Sequence, residues 1–357
     1  MNVQKPLSLV FFGALIISSC TSSSIATPIP EEPAAMPVST PTSVGPYKFN
    51  IATGMSSSAW YAIGSELVPA INNNASVVRT EIKETQSLME NVDLLTSGKA
   101  GMAVVFDYHV ALANQGRLMS AFPNAPEEKL TIKCGTEMIR PMFPDYSEPA
   151  RIVLPIYDQH LIILAHSESG IKTISDIKGK HISTGELDSA TEQQVRFIFT
   201  GLGLDWDNDV VRESYDLFAA MVALQLHQID ALFWSAPVID VEMAELINSV
   251  GGEIVFVSIQ PDETKRIMDA SPGVFHPGQI PGGTYTGQTA NIDTLATTVV
   301  LATMEDFPAQ HIGEILAAIY GDPSNRFALS LDNLSPESML YLHQGALDYY
   351  KKQGFIK

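Results

Sequence analysis

The chain has 357 residues, 45% of them hydrophobic, with 21 basic against 40 acidic side chains and a formal net charge of −19. A surplus of that size repels nucleic acid and anionic lipid, while a small anionic ligand can still be held by local N–H groups and dipoles. Two cysteines, Cys20 and Cys134, offer no disulfide framework.

In chain order, Lys5 is followed by the uncharged stretch 7–17 and then by Ile17-Ser18-Ser19-Cys20. This reads as a signal peptide over 1–19, too short to span a bilayer as a stable helix. The small residues before the cysteine resemble the bacterial lipobox, so Cys20 is expected to be lipidated and to anchor the chain to a bacterial membrane, in the periplasm or at the cell surface. Residues 20–46 hold Pro28, Pro30, Pro33, Pro37, Pro41 and Pro46 and almost no large apolar side chain; they predict an extended tether. Cys134 reads as a buried or idle thiol. No later segment approaches eighteen uninterrupted apolar residues. The roughly 310 residues after the tether suffice for two lobes.

The domain opens on FNIATGMSSSAWYAIG, a strand, a polar turn and a helix with apolar spacing at Trp60, Ile63, Leu67 and Ile71. Gly54 permits a tight turn, and three hydroxyls gather at the positive helix end, where a carboxylate could be cradled. A serine run before a helix also serves as a plain cap, and both readings stand. Further strands are predicted at 77–82, 102–106, 151–156, 161–165, 181–184, 231–234, 253–258 and 297–303. Helices are predicted at 58–72, 88–96, 175–177, 190–201, 218–226, 238–250, 261–270, 309–320 and 336–353. The alternation predicts an α/β architecture with largely parallel sheets. Ser183-Thr184-Gly185 with Asp188-Ser189-Ala190-Thr191-Glu192 repeats the strand, polar turn and helix of the opening. In open α/β sheets ligands sit beyond the carboxyl ends of strands, so two facing lobes would put both turns on one cleft.

Six segments in register resemble the TAXI family, the substrate-binding receptors of TRAP transporters. They are TGMSSSAWYAIG with Thr53, Gly54, Tyr61 and Gly64; TQSLMENV with Thr85, Glu90 and Asn91; LTSGKAGMA; SGIKTISDIKGKHIST; IPGGTYTGQ; and HQGALDYYKKQGF. The resemblance covers 48–357. It implies a type II periplasmic-binding-protein fold, two α/β lobes with a hinge and an inter-lobe cleft, with lobe 1 at 47–157 and 283–357 and lobe 2 at 158–282. It also implies capture of a small organic anion or amino acid, of the glutamate, glutamine or dicarboxylate kind, and delivery to a TRAP permease.

Carried over by position, the resemblance implies ligand contacts from Thr53, Ser56, Ser57, Ser58 and Tyr61, from Gln86 and Ser87, and from Asp107. The second lobe would add Asp188, Ser189, Thr191, Glu192, Trp234 and Ser235, with Tyr157 at the inter-lobe segment. This sequence departs from the family in Met55, Ser57 and Ser58, which replace glycines, and in Gln86-Ser87-Leu88. Where the family has Gln-Ser-Asp, this chain has Phe106-Asp107-Tyr108, which in a strand would turn the aspartate to the other face.

Enzyme and metal patterns are not met. His160, His166 and His181 lack the spacing of a helical zinc pair. Asp205-Trp206-Asp207-Asn208-Asp209 imitates a calcium loop but has Val210 where glycine is needed. Gly201-Leu202-Gly203 follows a helix and reads as its stop. No nucleophile elbow or phosphate loop occurs. The expectation is a non-enzyme without metal, cofactor or nucleic-acid partner; a sensing lipoprotein of the same fold without a permease, or a surface hydrolase, are the alternatives.

Overall fold

The computed structural model describes residues 45–56, 58–114, 132–134, 137–139, 149–187, 189–250, 253–323, 331, 334 and 336–356. The signal peptide, Cys20 and nearly all of the tether fall outside the described residues, as do Ser57 and Asp188.

Strands β1 (Tyr47–Ala52), β2 (Val78–Lys83) and β3 (Met102–Phe106) alternate with helices α1 (Ala59–Asn74) and α2 (Leu88–Thr96), and β1 pairs in parallel with both other strands. Helix α3 (Asp107–Asn114) leaves β3 without a loop, and β4 (Ile132–Cys134) with β5 (Glu137–Ile139) makes a separate small hairpin. Strand β6 (Ala150–His166) follows, 17 residues long. The chain continues through β7 (His181–Ser183), α4 (Ala190–Leu202), β8 (Val211–Glu213), α5 (Leu217–Gln225), β9 (Ala231–Ala236), α6 (Val241–Val250), β10 (Ile254–Phe256), α7 (Pro261–Ala270) and β11 (His276–Ile280). It ends with β12 (Ile292–Met304), α8 (Ala309–Tyr320), α9 (Pro336–Met339) and α10 (Gln344–Gln353).

The fold is mixed α/β, built on one sheet in the order β2-β1-β3-β12-β6-β9-β7-β8, with β10 on β6 and β11 on β12. Parallel pairing holds within β2-β1-β3 and within β9-β7-β8. Between them, β12 is antiparallel to β3 and β6, and β6 is antiparallel to β9. The sheet is therefore two parallel halves joined by two long antiparallel strands, rather than largely parallel throughout.

Three expectations are corrected. The predicted strands at 151–156 and 161–165 are one strand, because Tyr157-Asp158-Gln159-His160 stays in register with β12. The predicted terminal helix at 336–353 is split by Leu342, which bridges Ile152. Asp107 opens α3, so the strand alternation invoked for it does not apply.

Side-chain alternation along β6 feeds two cores. Leu161, Ile163 and Ala165 join the large cluster shared with β1, β3, α4 and α8, whereas Ile162 and Leu164 join a second one with Leu217, Leu224, Leu232 and Met243. Gly203 caps α4 in the left-handed conformation at φ 69°, as the helix-stop reading requires. Helices α4 and α7 approach so closely that a Cβ on Gly201 would stand 2.4 Å from the Ile267 Cα. Gly201→Ala should therefore destabilise the chain by about 1–3 kcal/mol through backbone displacement, despite the roughly 1 kcal/mol that alanine returns in helix propensity. Urea denaturation checks this; a rise in midpoint would show that the helices yield.

Candidate functional site

At the end of β1 the chain turns into α1 under a buried hub. Asn91 Nδ2 donates to the carbonyls of Thr53 and Val104, and Asn91 Oδ1 accepts from Thr85 Oγ1 at 2.6 Å. One amide thus ties β1, β3 and the loop before α2, and every one of its partners is buried. Thr53 is fully buried and its hydroxyl has no hydrogen-bond partner. Gly64 makes the space for it, since a Cβ there would meet Thr53 Cγ2 at 2.5 Å.

The neighbouring hydroxyls are caps. Ser58 Oγ accepts the Tyr61 N–H at 3.1 Å and Ser87 Oγ accepts the Glu90 N–H at 3.2 Å. Ser56 N–H donates to Glu84, and Gln86 N–H donates to Glu90. Ser56 and Gln86 are exposed. Of this first group, Thr53 alone combines full burial with an unpaired hydroxyl.

In the second half, Ser189 caps α4 by accepting the Glu192 N–H at 3.2 Å. Thr191 Oγ1 accepts the Ser235 N–H at 3.1 Å, and the Ser235 carbonyl accepts from Gln159 Nε2 at 2.7 Å. Ser235 Oγ, Thr184 Oγ1 and Gln159 Oε1 are buried without partners. Glu192 is buried and bound to Arg196 at 2.9 Å, whose guanidinium stacks on Trp206 at 4.1 Å. Its carboxylate therefore serves the scaffold. Asp205, in the calcium-like stretch, accepts the N–H groups of Asp207 and Asn208, which is turn capping.

The two groups are brought towards each other by β6. In register, Phe106 at the end of β3 faces Val299, which faces Tyr157; Ala236 at the end of β9 faces His160. The carboxyl ends of both parallel half-sheets thus reach the same four-residue stretch, 157–160. Tyr157 is the meeting point. Its hydroxyl is buried without a hydrogen bond of good geometry, although the Trp60 indole lies beside it. Burial pushes its ionisation upward, and Asp240 adds to this. Asp240 also accepts from Trp234 Nε1 at 3.2 Å; Trp234 itself faces Ile162 in register and packs with the second core, on the sheet face opposite Tyr157. Helix α4 closes over this face, where Gln194 Nε2 donates to Thr297 at 3.0 Å and Gln193 Oε1 lies 3.3 Å from both Tyr108 Oη and His109 Nε2.

The opposite face of the same stretch is charged. Asp158 Oδ1 accepts from Thr298 Oγ1 at 2.9 Å and lies 3.5 Å from His276 Nε2. Burial works against the His276 cation, yet the hydrogen bond and charge of Asp158 outweigh it and the net shift is upward. Burial pushes His160 down, and Gly278 packs against its ring.

Residues 145–354, well over half of the chain, match the model of the NMT1-like family. The chain belongs to the NMT1-like family. Solved structures also align with it. A putative sulfonate-binding SsuA from Methylobacillus flagellatus KT shows 14% identity and TM-score 0.43, over 86% of this chain and 78% of that one. XAC2383 from Xanthomonas citri, bound to ATP, shows 12% and 0.47 over 87% and 99%. The aliphatic sulphonate-binding SsuA of Escherichia coli shows 14% and 0.42 over 88% and 95%. No ligand follows from likenesses this loose. In this NMT1-like chain, the family match takes in 157–160 and the whole second half, and leaves out Thr53 through Asp107.

The sequence pattern assigned no place at the site to the polar stretch Asp158, Gln159 and His160, or to Gln193 and Thr297. The available signal was three polar residues between the apolar runs predicted as separate strands at 151–156 and 161–165. A concavity of about 540 Å³ lies elsewhere, lined by Lys48, Arg79, Glu81 and Lys99. It flanks β1 and β2 upstream of their carboxyl ends and contains none of the residues above.

Asp107 is buried, accepts from Ser338 Oγ at 2.8 Å and from its neighbour's N–H at 2.9 Å, and is thereby occupied within the scaffold. Burial raises it from 3.8 to about 6, against the lowering effects of Ser338, His276 and the Tyr108 and Thr298 backbone. A folded-state value above the unfolded one means that the native chain holds the proton more tightly between pH 4 and 6, so stability declines as pH rises through that window, by up to about 3 kcal/mol from this group. Asp107→Asn should flatten the decline and stabilise the chain at pH 7.5. Unfolding free energies at pH 4.5 and 7.5 for both proteins check this; parallel pH profiles would contradict it.

Proposed function

We propose that the chain is an extracytoplasmic solute-binding receptor that captures a small organic anion or amino acid between its two half-sheets and hands it to a TRAP-type secondary transporter, without transforming it. The observation that carries the reading is the convergence of two sets of parallel-strand carboxyl ends on residues 157–160, with buried unpaired groups on Thr53, Tyr157, Thr184, Ser235 and Gln159. Buried hydroxyls without partners lose hydrogen-bond energy in the empty state and regain it when a polar guest enters. Charge at the guest would be met by helix N-termini α1 and α4, whose caps Ser58 and Ser189 stand at the same strand ends. Trp60 and Tyr157 would wall its apolar part.

The non-enzyme reading is supported by where the hydroxyl protons go. Thr298 Oγ1 lies 3.4 Å from His276 Nε2, but donates to Asp158 at 2.9 Å, and alternation puts it on the strand face away from Tyr157 and Gln159. Ser338 donates to the carboxylate of Asp107. Neither is the hydroxyl, base and orienting acid that acyl transfer needs. The TRAP partner rests on the six sequence segments described above, and tethering at a membrane through Cys20 rests on the lipobox-like end. No helix among the described residues is long and apolar enough to cross a membrane.

Thermal-shift screening against amino acids, sulfonates and C4 to C6 carboxylates should find a ligand that raises the melting temperature by linkage; silence across all three sets would count against the ligand class. For the ligand so found, Ser235→Ala should weaken binding by about tenfold or more, while the ligand-free protein melts no lower, because the hydroxyl removed is unpaired there. Unchanged affinity would take Ser235 out of the site.

A further inference from the structure

The far end of the second half-sheet gathers a set of side chains that the solute site does not use. His166 ends β6, Glu168 stands in the turn after it, and His227 follows α5; one ligating atom from each lies within 4.8 Å of the others. The two imidazole rings are 3.6 Å apart between centroids. Glu253 Oε2 stands 3.7 Å from His166 Nε2. His166 is only 4% exposed, and its Nε2 has no hydrogen-bond partner. Glu168, His227 and Glu253 are exposed, so the group opens to solvent on one side.

Backbone pairing holds these segments together. His166 N–H donates to the Asp230 carbonyl at 3.0 Å, Ser167 N–H donates to the Glu253 carbonyl at 2.8 Å, and Ile254 faces His166 in register. His227 has φ +56°, the only positive value outside glycine among the described residues. A left-handed backbone is uncommon outside glycine, histidine being among the residues that adopt it more readily. The neighbouring cation, Lys180, donates its ammonium to the Ser169 carbonyl at 2.6 Å.

We propose that His166, Glu168 and His227, joined by Glu253, form a zinc site. Two imidazoles and two carboxylates make the four-coordinate nitrogen and oxygen set that zinc accepts, whereas calcium and magnesium prefer oxygen alone. The two carboxylates neutralise the ion. His166 Nδ1 accepts the Glu168 N–H at 3.2 Å; ligation at Nε2 moves the ring proton to Nδ1 and ends that contact, at the cost of one ordinary hydrogen bond. Six residue steps along β6 separate His166 from His160, about 20 Å of strand. The ion is therefore a clamp across β6, β10 and the end of α5, independent of the solute reading.

The test uses the full-length, untagged chain after chelation. Zinc should bind by calorimetry at one equivalent and raise the melting temperature, and magnesium at the same concentration should do neither. His227→Gly removes a ligand while placing glycine where the backbone is left-handed, so the metal-free variant should melt no lower than the parent and bind zinc at least about tenfold more weakly. Glu168→Gln should weaken zinc as well. The proposal is overturned by absence of zinc binding in the parent, by an equal response to magnesium, or by full zinc affinity in His227→Gly.

Discussion

Strand β6 must keep its backbone paired for 17 residues while passing from one half-sheet to the other. Buried N–H and C=O groups tolerate no gap, and the chain meets that demand with β12 along 150–160, β9 along 160–165 and β10 at the end. Everything at the site follows. Because β12 and β9 both reach His160, the carboxyl ends of β3, across β12, and of β9 come into register with one short stretch. The register is continuous across the place where the two halves meet, apart from irregularities in β12 at Val299/Val300 and Leu301/Ala302.

The stretch 157–160 has two unlike faces. One holds Tyr157 and Gln159, with hydroxyls and amides whose hydrogen bonds are incomplete; the other holds Asp158 and His160, with His276 and Asp107 satisfied by neighbours. In the proposed receptor, incomplete bonding on the first face would be a store of binding energy for a guest, whereas on the second Asp158 pairs with Thr298 and His276 and only His160 Nδ1 is left without a partner. Alternation of side chains separates the two sets of groups across a single backbone thickness.

Much of the sequence that carries the family resemblance is scaffolding in the structure. Asn91 ties three elements through its amide, Gln288 donates to the carbonyls of Ile280, Pro281 and Ala290, and Tyr285 Oη reaches the Val238 carbonyl. Glu263 receives both Ser175 groups while its other oxygen accepts the Gln260 N–H. In Asn91, Gln288 and Glu263 one side chain of fixed length satisfies several polar groups at once. That makes them good markers of architecture and poor markers of the ligand.

Local pattern alone determined the elements: the capped starts of α1, α2 and α4, the buried run of β3, the glycine stop after α4 and the mixture of strands and helices are effects of neighbours within a few residues. Thr53 and Ser235 are candidate contacts through the family resemblance, and the structure shows both hydroxyls buried without partners. Only the tertiary structure decided that Asp158-Gln159-His160 lies inside a strand, since polar residues are held there by partners on β12 and β9 that are distant in the chain. It alone turned Asp107 from a strand residue into the start of a helix facing Ser338, and brought His227 against His166. Pairing between distant segments sets which polar groups are satisfied, and that is a sum over contacts that no local window contains.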